Sequence, residues 1–343
     1  MRKIGLCFGV ATALFAFASG SAEARSPFLS INVPGAGTGN FQGTVPVQIS
    51  AKNIVTGYTI DSNYVLHGFE GPATGPFQLF DIPNAGTGIL QGTQPSAVNR
   101  FGMVAGSYND GHFHAFLRTI NNALTIFDIP GATDTHAYSI NAHGIMAGTA
   151  DSYGFLRVLN GSFVKFSGPG GTRIFTALIN NNALIAGEYY DASDNLHGYT
   201  QTSNGRMTAF DVPTFTNTEV ASINSKEQIV GDAFTGATYQ AYLREKNGTI
   251  VTFDVPGCTS SRPQSINYNG EITGYCQDAN GVYHGFIRHP DGTITLDDAP
   301  GAGIIPSTGT EQLSVASNGK IVGVAVDNNG AFHGYRLNAD NSQ

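Results

Sequence analysis

The chain has 343 residues, of which 12% are charged, and its formal net charge at pH 7 is −8. A sparse and acidic set of charges disfavours nucleic acid and anionic membrane surfaces as partners, because both are themselves negatively charged. Glycine is abundant (44 residues) and tryptophan is absent. With its many β-branched residues, the composition indicates an all-β protein.

The first 24 residues are predicted to be a secretory signal peptide. Arg2 and Lys3 precede an apolar run over residues 4–18, and Ala22 and Ala24 supply the small residues of a cleavage site. The apolar run is too short for a membrane span, and no other long apolar stretch follows. We therefore predict a protein secreted to the periplasm or the medium, with no transmembrane segment.

One motif recurs along residues 25–338, which we predict to form a single domain before a tail at 339–343. It reads Phe-Asp-(Ile/Val)-Pro-Gly-Ala, then Ser-Ile-Asn, then Gly, then His-Gly-Phe-(Leu/Ile)-Arg. Successive copies lie 39 to 49 residues apart, a period typical of arrays built from one small unit. Copies one to seven are numbered by their marker prolines, Pro34, Pro83, Pro130, Pro169, Pro213, Pro256 and Pro300. Their marker glycines are Gly57, Gly106, Gly148, Gly187, Gly231, Gly274 and Gly323.

Copy six indicates how many strands each copy contains. Strands are predicted over residues 264–267, 271–275, 284–288 and 293–296, with Asn-, Asp- and Gly-containing turns between them. Four short strands in about 44 residues are typical of one antiparallel propeller blade.

The two ends of the mature chain complement each other. Residues 28–34 resemble a fourth strand with no blade before it, and residues 332–336 are a third strand whose blade lacks its fourth. Pairing the two would leave no orphan strand edge. The predicted fold is therefore an all-β, seven-bladed β-propeller of four-stranded antiparallel blades, closed by the N-terminal strand completing the last blade.

The third-strand motif resembles that of the bacterial extracellular HAF-repeat proteins, named for a His-Ala-Phe tripeptide. Here it stands as His114-Ala115-Phe116, and as His-Gly-(Phe/Tyr) at His67, His197, His284 and His333. The resemblance covers roughly residues 28–337 and implies an exported β-repeat protein without an established activity. Copies three and five depart from it, with Tyr153 and Gln240 at the histidine position.

The repeated histidines and aspartates are interpreted as structural. A ring of blades would hold the five motif histidines far apart, so each is expected to form hydrogen bonds within or between blades. An aspartate lies four residues after the marker glycine in five copies and is interpreted as part of a hairpin turn. The alternative is a calcium-binding loop, which these segments match only in part. The aspartates are Asp61, Asp110, Asp191, Asp278 and Asp327. No metal and no cofactor is predicted.

Cys258 and Cys276 are the only cysteines of the mature chain. In an oxidising compartment they are predicted to form a disulfide that stabilises copy six. A metal-binding pair or a reactive thiol is the alternative.

Three copies have a longer connection before their first strand. The marker proline lies 16 residues before the first-strand end in copies seven, one and two, and 11 residues before it in the other four. The long loops, residues 301–310, 35–44 and 84–93, would become neighbours in a closed ring. They are expected to form a raised wall where a ligand binds, unless the insertion only reflects a duplication.

At one position near the start of the first strand, the residue type differs from copy to copy. Mixed charged, amide and aromatic groups there suit a sugar at the mouth of a central channel. The ring reads Val45, Gln94, His136, Phe175, Glu219, Arg262 and Glu311. With sequence neighbours included, the candidate ligand-binding residues are Gln94, His136, Tyr138, Arg173, Phe175, Glu219, Arg262, Gln264 and Glu311.

Three functions remain open from the sequence. The first is a non-catalytic, monomeric recognition propeller for a glycan or a cell-envelope partner. The second is a polysaccharide lyase or glycoside hydrolase, in which Glu219 and Glu311, or His136 and Tyr138, act as acid and base. The third is a structural surface or matrix repeat protein. Catalytic residues are not assigned.

Overall fold

A computed structural model of the protein describes residues 28–338, so the predicted signal peptide and the tail lie outside the described residues. Strands and tight turns make up nearly all of this part of the chain, and a single 3-10 turn, Pro169–Gly171, is its one helical element. Within residues 28–338 no helix is long and apolar enough to cross a membrane. The all-β prediction is confirmed.

Each copy forms an antiparallel set of strands. β1 is Phe28–Ile31. Copy one contains β2 (Gly43–Ile49), β3 (Ile54–Ile60), β4 (Leu66–Pro72) and β5 (Gln78–Phe80), and copy two contains β6 (Gly92–Val98), β7 (Val104–Asn109), β8 (Phe113–Arg118) and β9 (Leu124–Phe127). Copy three contains β10 (Thr135–Ile140), β11 (Met146–Ala150), β12 (Tyr153–Arg157) and β13 (Phe163–Phe166), and copy four contains β14 (Ile174–Ile179), β15 (Ile185–Tyr190), β16 (Leu196–Gln201) and β17 (Met207–Phe210).

In copy five the first strand is split into β18 (Asn217–Thr218) and β19 (Ser222–Ile223), followed by β20 (Ile229–Phe234), β21 (Tyr239–Arg244) and β22 (Ile250–Phe253). Copy six contains β23 (Ser260–Ile266), β24 (Ile272–Gln277), β25 (Tyr283–Arg288) and β26 (Ile294–Leu296), and copy seven contains β27 (Gly309–Val315), β28 (Lys320–Val326) and β29 (Phe332–Asn338). β23 begins four residues before the predicted start, because a register shift between Pro263 and Ser265 lets the pairing with β24 continue past the bulge.

The first strand of the chain pairs with the last. β1 runs antiparallel to β29, from Phe28 opposite Leu337 to Ile31 opposite Gly334. Ile31 is fully buried in this position. The predicted pairing of the two chain ends is therefore present.

Hydrogen bonds also link the first strands of neighbouring copies. The asparagine of each Ser-Ile-Asn motif donates its side-chain amide to a carbonyl at the equivalent position of the next copy. Asn99 donates to Asn141 O at 3.0 Å, and Asn267 donates to Ala316 O at 3.0 Å. The Ser314 hydroxyl accepts a bond from Ile49 N at 3.4 Å, which joins the last copy to the first. The repeated asparagine is thus a contact between copies.

The hydrophobic core consists of separate clusters, most of them shared by adjacent copies. One cluster joins Ala105 and Leu117 of copy two to Met146 and Phe155 of copy three. The aromatic residue of the third-strand motif is buried in every copy, as Phe69, Phe116, Phe155, Tyr199, Tyr242, Phe286 and Tyr335. Burying one large ring per copy accounts for the repetition of that motif position.

The motif histidines each contact carboxylates of their own copy. His114 lies between Asp128, 3.0 Å from Nδ1, and Asp110, 3.3 Å from Nε2. The same pairing recurs at His67, His197 and His284, while His333 contacts Asp327 alone among the described carboxylates. In copy five the Gln240 amide takes the histidine's place against Asp254, at 3.1 Å. The predicted hydrogen-bonding role of the histidines is confirmed.

The loop aspartates also cap the hairpin between the second and third strands. Asp61 Oδ1 accepts bonds from the backbone N–H groups of Asn63 and Val65, at 2.8 and 2.9 Å. Asp278 and Asp327 repeat this pattern. These carboxylates therefore serve both the turn and the neighbouring histidine.

The predicted disulfide is present. Cys258, which follows β22, is bonded to Cys276 of β24, and their Cα atoms are 5.9 Å apart. Cys276 is fully buried in a core cluster shared by copies five and six. The bond closes a loop between two connected elements of one copy.

The three long loops share one conformation and contact the preceding copy. Each makes a parallel bridge to a third strand: Gly43 with Phe332, Gly92 with Leu66, and Gly309 with Tyr283. In two of them a glutamine caps the turn, as Gln42 accepts from Gly39 N and Gln91 from Gly88 N, both at 2.9 Å. The insertions therefore join copies six, seven, one and two edge to edge.

Candidate functional site

A cavity of about 1020 Å³ lies along the first strands and opens toward the long loops. Its larger polar side chains are those of Gln48, Tyr58, Tyr138, Gln264, Tyr283 and Glu311. Serine hydroxyls line it at Ser96, Ser139, Ser222, Ser265 and Ser314. The long loops add apolar surface to the cavity through Phe41, Ile305 and Pro306. The cavity thus combines aromatic rings, hydroxyls, amides and a carboxyl group.

On the adjacent strand a second ring of residues lies opposite the non-repeating ring, except in copy four, where Phe175 falls in a bulge and Thr176 pairs with Glu188. Gln94 pairs with Ser107, His136 with Thr149, and Arg262 with Tyr275. The second ring reads Tyr58, Ser107, Thr149, Glu188, Asp232, Tyr275 and Val324, and each member directly follows a marker glycine. Sequence reasoning missed it, although the change of residue type immediately after a repeated glycine was a readable signal.

Arg262 is the centre of a charged cluster between copies five and six. Its Nη2 lies 2.7 Å from Glu219 Oε2, and its Nε lies 3.4 Å from Asp232 Oδ2. The guanidinium also stacks over the Tyr239 ring, 4.2 Å from its centroid. Burial raises the pKa of Asp232 to about 7, although the Arg262 charge opposes that shift. The guanidinium therefore stabilises a carboxylate that is only 2% exposed.

Glu188 lies beside this cluster on β15 and is almost fully buried. Burial raises its pKa to about 8, and the charges of Glu219 and Asp232 add to the shift. Its Oε1 accepts a hydrogen bond from Val220 N, across the boundary between copies four and five. At pH 7 Glu188 is therefore mainly a neutral carboxylic acid that ties two copies together.

Glu311 is the acidic residue that lines the cavity. Burial raises its pKa to about 6, against the opposing effect of the Arg262 charge. Burial and the Glu311 charge also raise the pKa of Tyr58, another residue of the cavity wall. A carboxyl group with this pKa can exchange a proton near neutral pH.

His136 is part of a stack of three rings at the edge of the cavity. Its ring centroid is 4.2 Å from that of Phe113 and 5.8 Å from that of Tyr138, with an angle of 8° between the His136 and Tyr138 planes. Burial lowers the pKa of His136, so the imidazole is neutral at pH 7. The Tyr138 hydroxyl accepts a bond from Thr149 Oγ1 at 3.2 Å. The stack presents Tyr138, its inner member, to the cavity.

The nine sequence candidates fall into separate groups. Tyr138, Gln264 and Glu311 line the cavity, while Glu219 and Arg262 form the ion pair beside it. The others surround these groups: His136 stacks on Tyr138, Gln94 lies near Tyr58, and both Arg173 and Phe175 contact the Tyr190 ring. Among residues 28–338, no group of three or more His, Cys, Asp or Glu side chains is positioned to hold a metal ion.

Comparison with known proteins gives the fold and no family. No protein-family model and no curated protein matches the chain. Streptogramin B lyase is similar in structure, with a TM-score of 0.61 at 13% identity, covering 90% of this chain and 96% of that one. Virginiamycin B lyase from Staphylococcus aureus matches with a TM-score of 0.62 at 13% identity, covering 90% and 98% of the two chains.

A chain of the mitotic checkpoint complex matches with a TM-score of 0.59 at 12% identity, covering 98% of this chain and 99% of its own. Identities this low show the fold alone. The protein has a propeller-like β fold.

Proposed function

We propose that the chain is a closed seven-bladed β-propeller, exported from the cell, that recognises a neutral glycan in the cavity beneath the long loops. The seven-copy count and the pairing of β1 with β29 support the closed ring. The Ser314–Ile49 bond and the bridge between Gly43 and Phe332 support it further, because both join the last copy to the first.

Export is supported by the predicted signal sequence and by the Cys258–Cys276 disulfide, since disulfides persist mainly in oxidising compartments. The resemblance to the exported HAF-repeat proteins agrees with this location. We extend the proposal to membership of that family.

The cavity lining is the observation that carries the glycan proposal. Sugars are bound by side chains that hydrogen-bond hydroxyl groups and by aromatic rings that cover their apolar faces. Tyr58, Tyr138 and Tyr283 supply rings, and Gln264 and Glu311 supply bidentate polar groups. The aspartates of the surrounding hairpin loops disfavour an anionic ligand at this end, so a neutral sugar fits best.

Recognition without turnover is favoured over hydrolysis by the state of the two glutamates. Glu219 is held by Arg262 at 2.7 Å, and an ion-paired carboxylate is a poor partner for Glu311 in a two-carboxylate mechanism. The elevated pKa of Glu311, about 6, is the observation that favours a lyase or hydrolase as the second candidate.

A glycan array probed with residues 25–343 tests the proposal, with the bound pools analysed for cleavage products. We expect binding to neutral oligosaccharides, and an affinity at least about tenfold lower for Tyr138→Ala and Gln264→Ala. Phe175 contacts Tyr190 and does not line the cavity. Phe175→Ala is therefore the matched aromatic control and should bind as the wild type does.

Product release that disappears in Glu311→Gln would instead establish the enzyme. Absence of both binding and turnover would refute the proposed function.

A further inference from the structure

The two ends of the molecule differ in charge. One end carries the long loops and the second-to-third-strand hairpins, and it is here called the mouth end. The other carries the first-to-second and third-to-fourth-strand turns, and it is called the turn end. Among residues 28–338, eleven of the fourteen Lys and Arg residues lie at the turn end, but only five of the twenty-three Asp and Glu residues do. Three of these eleven cations, Arg118, Arg157 and Arg336, are buried, and the other eight are partly or fully exposed. The acidic net charge therefore conceals a moderately basic surface at the turn end.

In two pairs of neighbouring copies, a lysine of one first-to-second turn approaches an aromatic ring of the next, and the turn of copy seven lies between these pairs. Lys226 of copy five extends over the Tyr268 ring of copy six at 5.1 Å, and Lys52 of copy one approaches the Phe101 ring of copy two at 5.9 Å. Arg100 stacks on the same Phe101 ring at 4.7 Å. Tyr268 is 57% exposed and Phe101 is 45% exposed, although both are large aromatic residues. We call these five residues the basic arc.

The turns that carry the arc are fixed to one another. Asn318 Nδ2 donates to Asn53 Oδ1 at 2.8 Å, which joins the turns of copies seven and one. Asn269 Nδ2 donates to Ser317 O at 3.1 Å, which joins those of copies six and seven. These bonds hold the turns in position relative to one another, so binding a polymer does not have to order the turns.

The arc borders a concave surface. A cavity of about 410 Å³ lies at the turn end of the first strands, and Arg100 and Tyr268 are part of its wall, together with Ser225 and Ser317. The acidic group nearest in sequence to the arc, Glu227, is engaged with Lys246 at 3.1 Å. The surface therefore offers cations, exposed rings and hydroxyls around a hollow, beside an ion-paired carboxylate.

We propose that the basic arc binds an acidic polysaccharide, a chain that carries carboxylate groups on its sugars. Exposed rings next to cations fit sugar rings next to carboxylates. A concave wall suits a polymer strand better than a flat bilayer. This surface is separate from the cavity of the proposed function, so either can fail alone.

Retention of the mature protein on immobilised polygalacturonate tests the proposal, with immobilised dextran as the uncharged counterpart. We expect retention on polygalacturonate alone, and release as NaCl is raised, because salt screens exposed charges. The triple variant K52Q/R100Q/K226Q should bind at least about tenfold more weakly. The control K165Q/R173Q/R206Q removes the same charge from exposed positions outside the arc, leaves the Lys246–Glu227 pair intact and should bind as the wild type does. Thermal unfolding of both variants verifies that they fold.

Y268A separates sugar recognition from simple charge attraction, because it keeps every cation and removes a ring. It should weaken the binding of polygalacturonate. Equal losses in the two triple variants, equal retention on dextran, or unchanged binding by Y268A would overturn the proposal. Tighter binding to phosphatidylglycerol vesicles or to single-stranded DNA than to polygalacturonate would overturn it as well.

Discussion

Arg262 of copy six binds Glu219 of copy five, with 2.7 Å between Nη2 and Oε2. The same guanidinium lies 3.4 Å from Asp232, which is nearly inaccessible to solvent. One cation therefore holds two carboxylates of the neighbouring copy and contributes both to the contact between copies and to the electrostatics of the cavity.

Replacing Arg262 with Gln should lower the free energy of unfolding by about 1–3 kcal/mol at pH 9, because Asp232 ionises above its pKa of about 7 and a buried carboxylate then needs the counter-charge. The loss should be smaller at pH 5, where Asp232 is protonated in both proteins. Arg173→Gln is the control: its pair with Asp194 is exposed, and it should cost less than about 0.5 kcal/mol. Urea denaturation at the two pH values measures both, and equal losses in the two variants would contradict the assignment.

Glu188→Gln should stabilise the protein at pH 8 and have little effect at pH 5. Burial raises the pKa of Glu188 to about 8, whereas the unfolded carboxyl group titrates near 4.5. Between these values the folded state binds more protons than the unfolded state, so wild-type stability falls as the pH rises.

The glutamine variant lacks this titration and keeps an oxygen to accept the bond from Val220 N. Chemical denaturation from pH 5 to 8 should show the variant gaining roughly 1–3 kcal/mol over the wild type across that window. Asp194→Asn removes an exposed carboxylate and should show no such gain. A constant difference between Glu188→Gln and the wild type at all pH values would argue against a buried, protonated Glu188.

His114→Gln should be tolerated better than His114→Ala, because Gln240 already fills the equivalent position against Asp254. The alanine variant should cost about 1 kcal/mol more at pH 7, since it leaves the Asp128 carboxylate without that donor. Thermal unfolding of the two variants gives the comparison, and equal midpoints would refute it.

The same residue predicts a pH dependence. Partial burial lowers the pKa of His114, but the hydrogen bonds and charges of Asp128 and Asp110 outweigh it and raise the pKa above the ordinary value. The stabilisation by protonated His114 is complete below pH 6.5 and is lost as the pH rises through the folded-state pKa. The gap between wild type and His114→Gln should therefore be larger at pH 5.5 than at pH 8, and a gap that widens with increasing pH would be inconsistent with it.

Gly43→Ala should weaken the contact between the last and first copies. Gly43 has φ of 134°, and a Cβ atom there would overlap the carbonyl oxygen of Phe332. Gly111→Ala is the matched control, because Gly111 has a similar φ of 125° but no atom lies within 4 Å of its Cβ position. Both variants place an alanine at positive φ and share that backbone strain. The difference between their unfolding midpoints therefore measures the cost of the overlap with Phe332. Equal destabilisation would show that the bridge to Phe332 contributes nothing.

Patterns along the chain determined the secondary structure, the pairing of β1 with β29, the disulfide and the structural role of the motif histidines. Each of these depends on residues that recur at a fixed spacing, or on cysteines that have only one possible partner. Copy five was less readable: its first strand splits into β18 and β19, and nothing in its motif signals the break.

The candidate site was only partly readable, for a physical reason. Arg262 and Glu219 lie 43 residues apart, and Glu188 contacts Val220 across a boundary between copies, so their pairing depends on how the copies pack.

The same holds for charge: a net value of −8 follows from counting residues, whereas the separation of acidic and basic ends follows from strand direction. The repeating unit is encoded in short stretches of sequence, because similar local hydrogen bonds and buried positions recur along the chain. Which non-repeating side chains meet depends on how the copies pack, because those contacts form between copies.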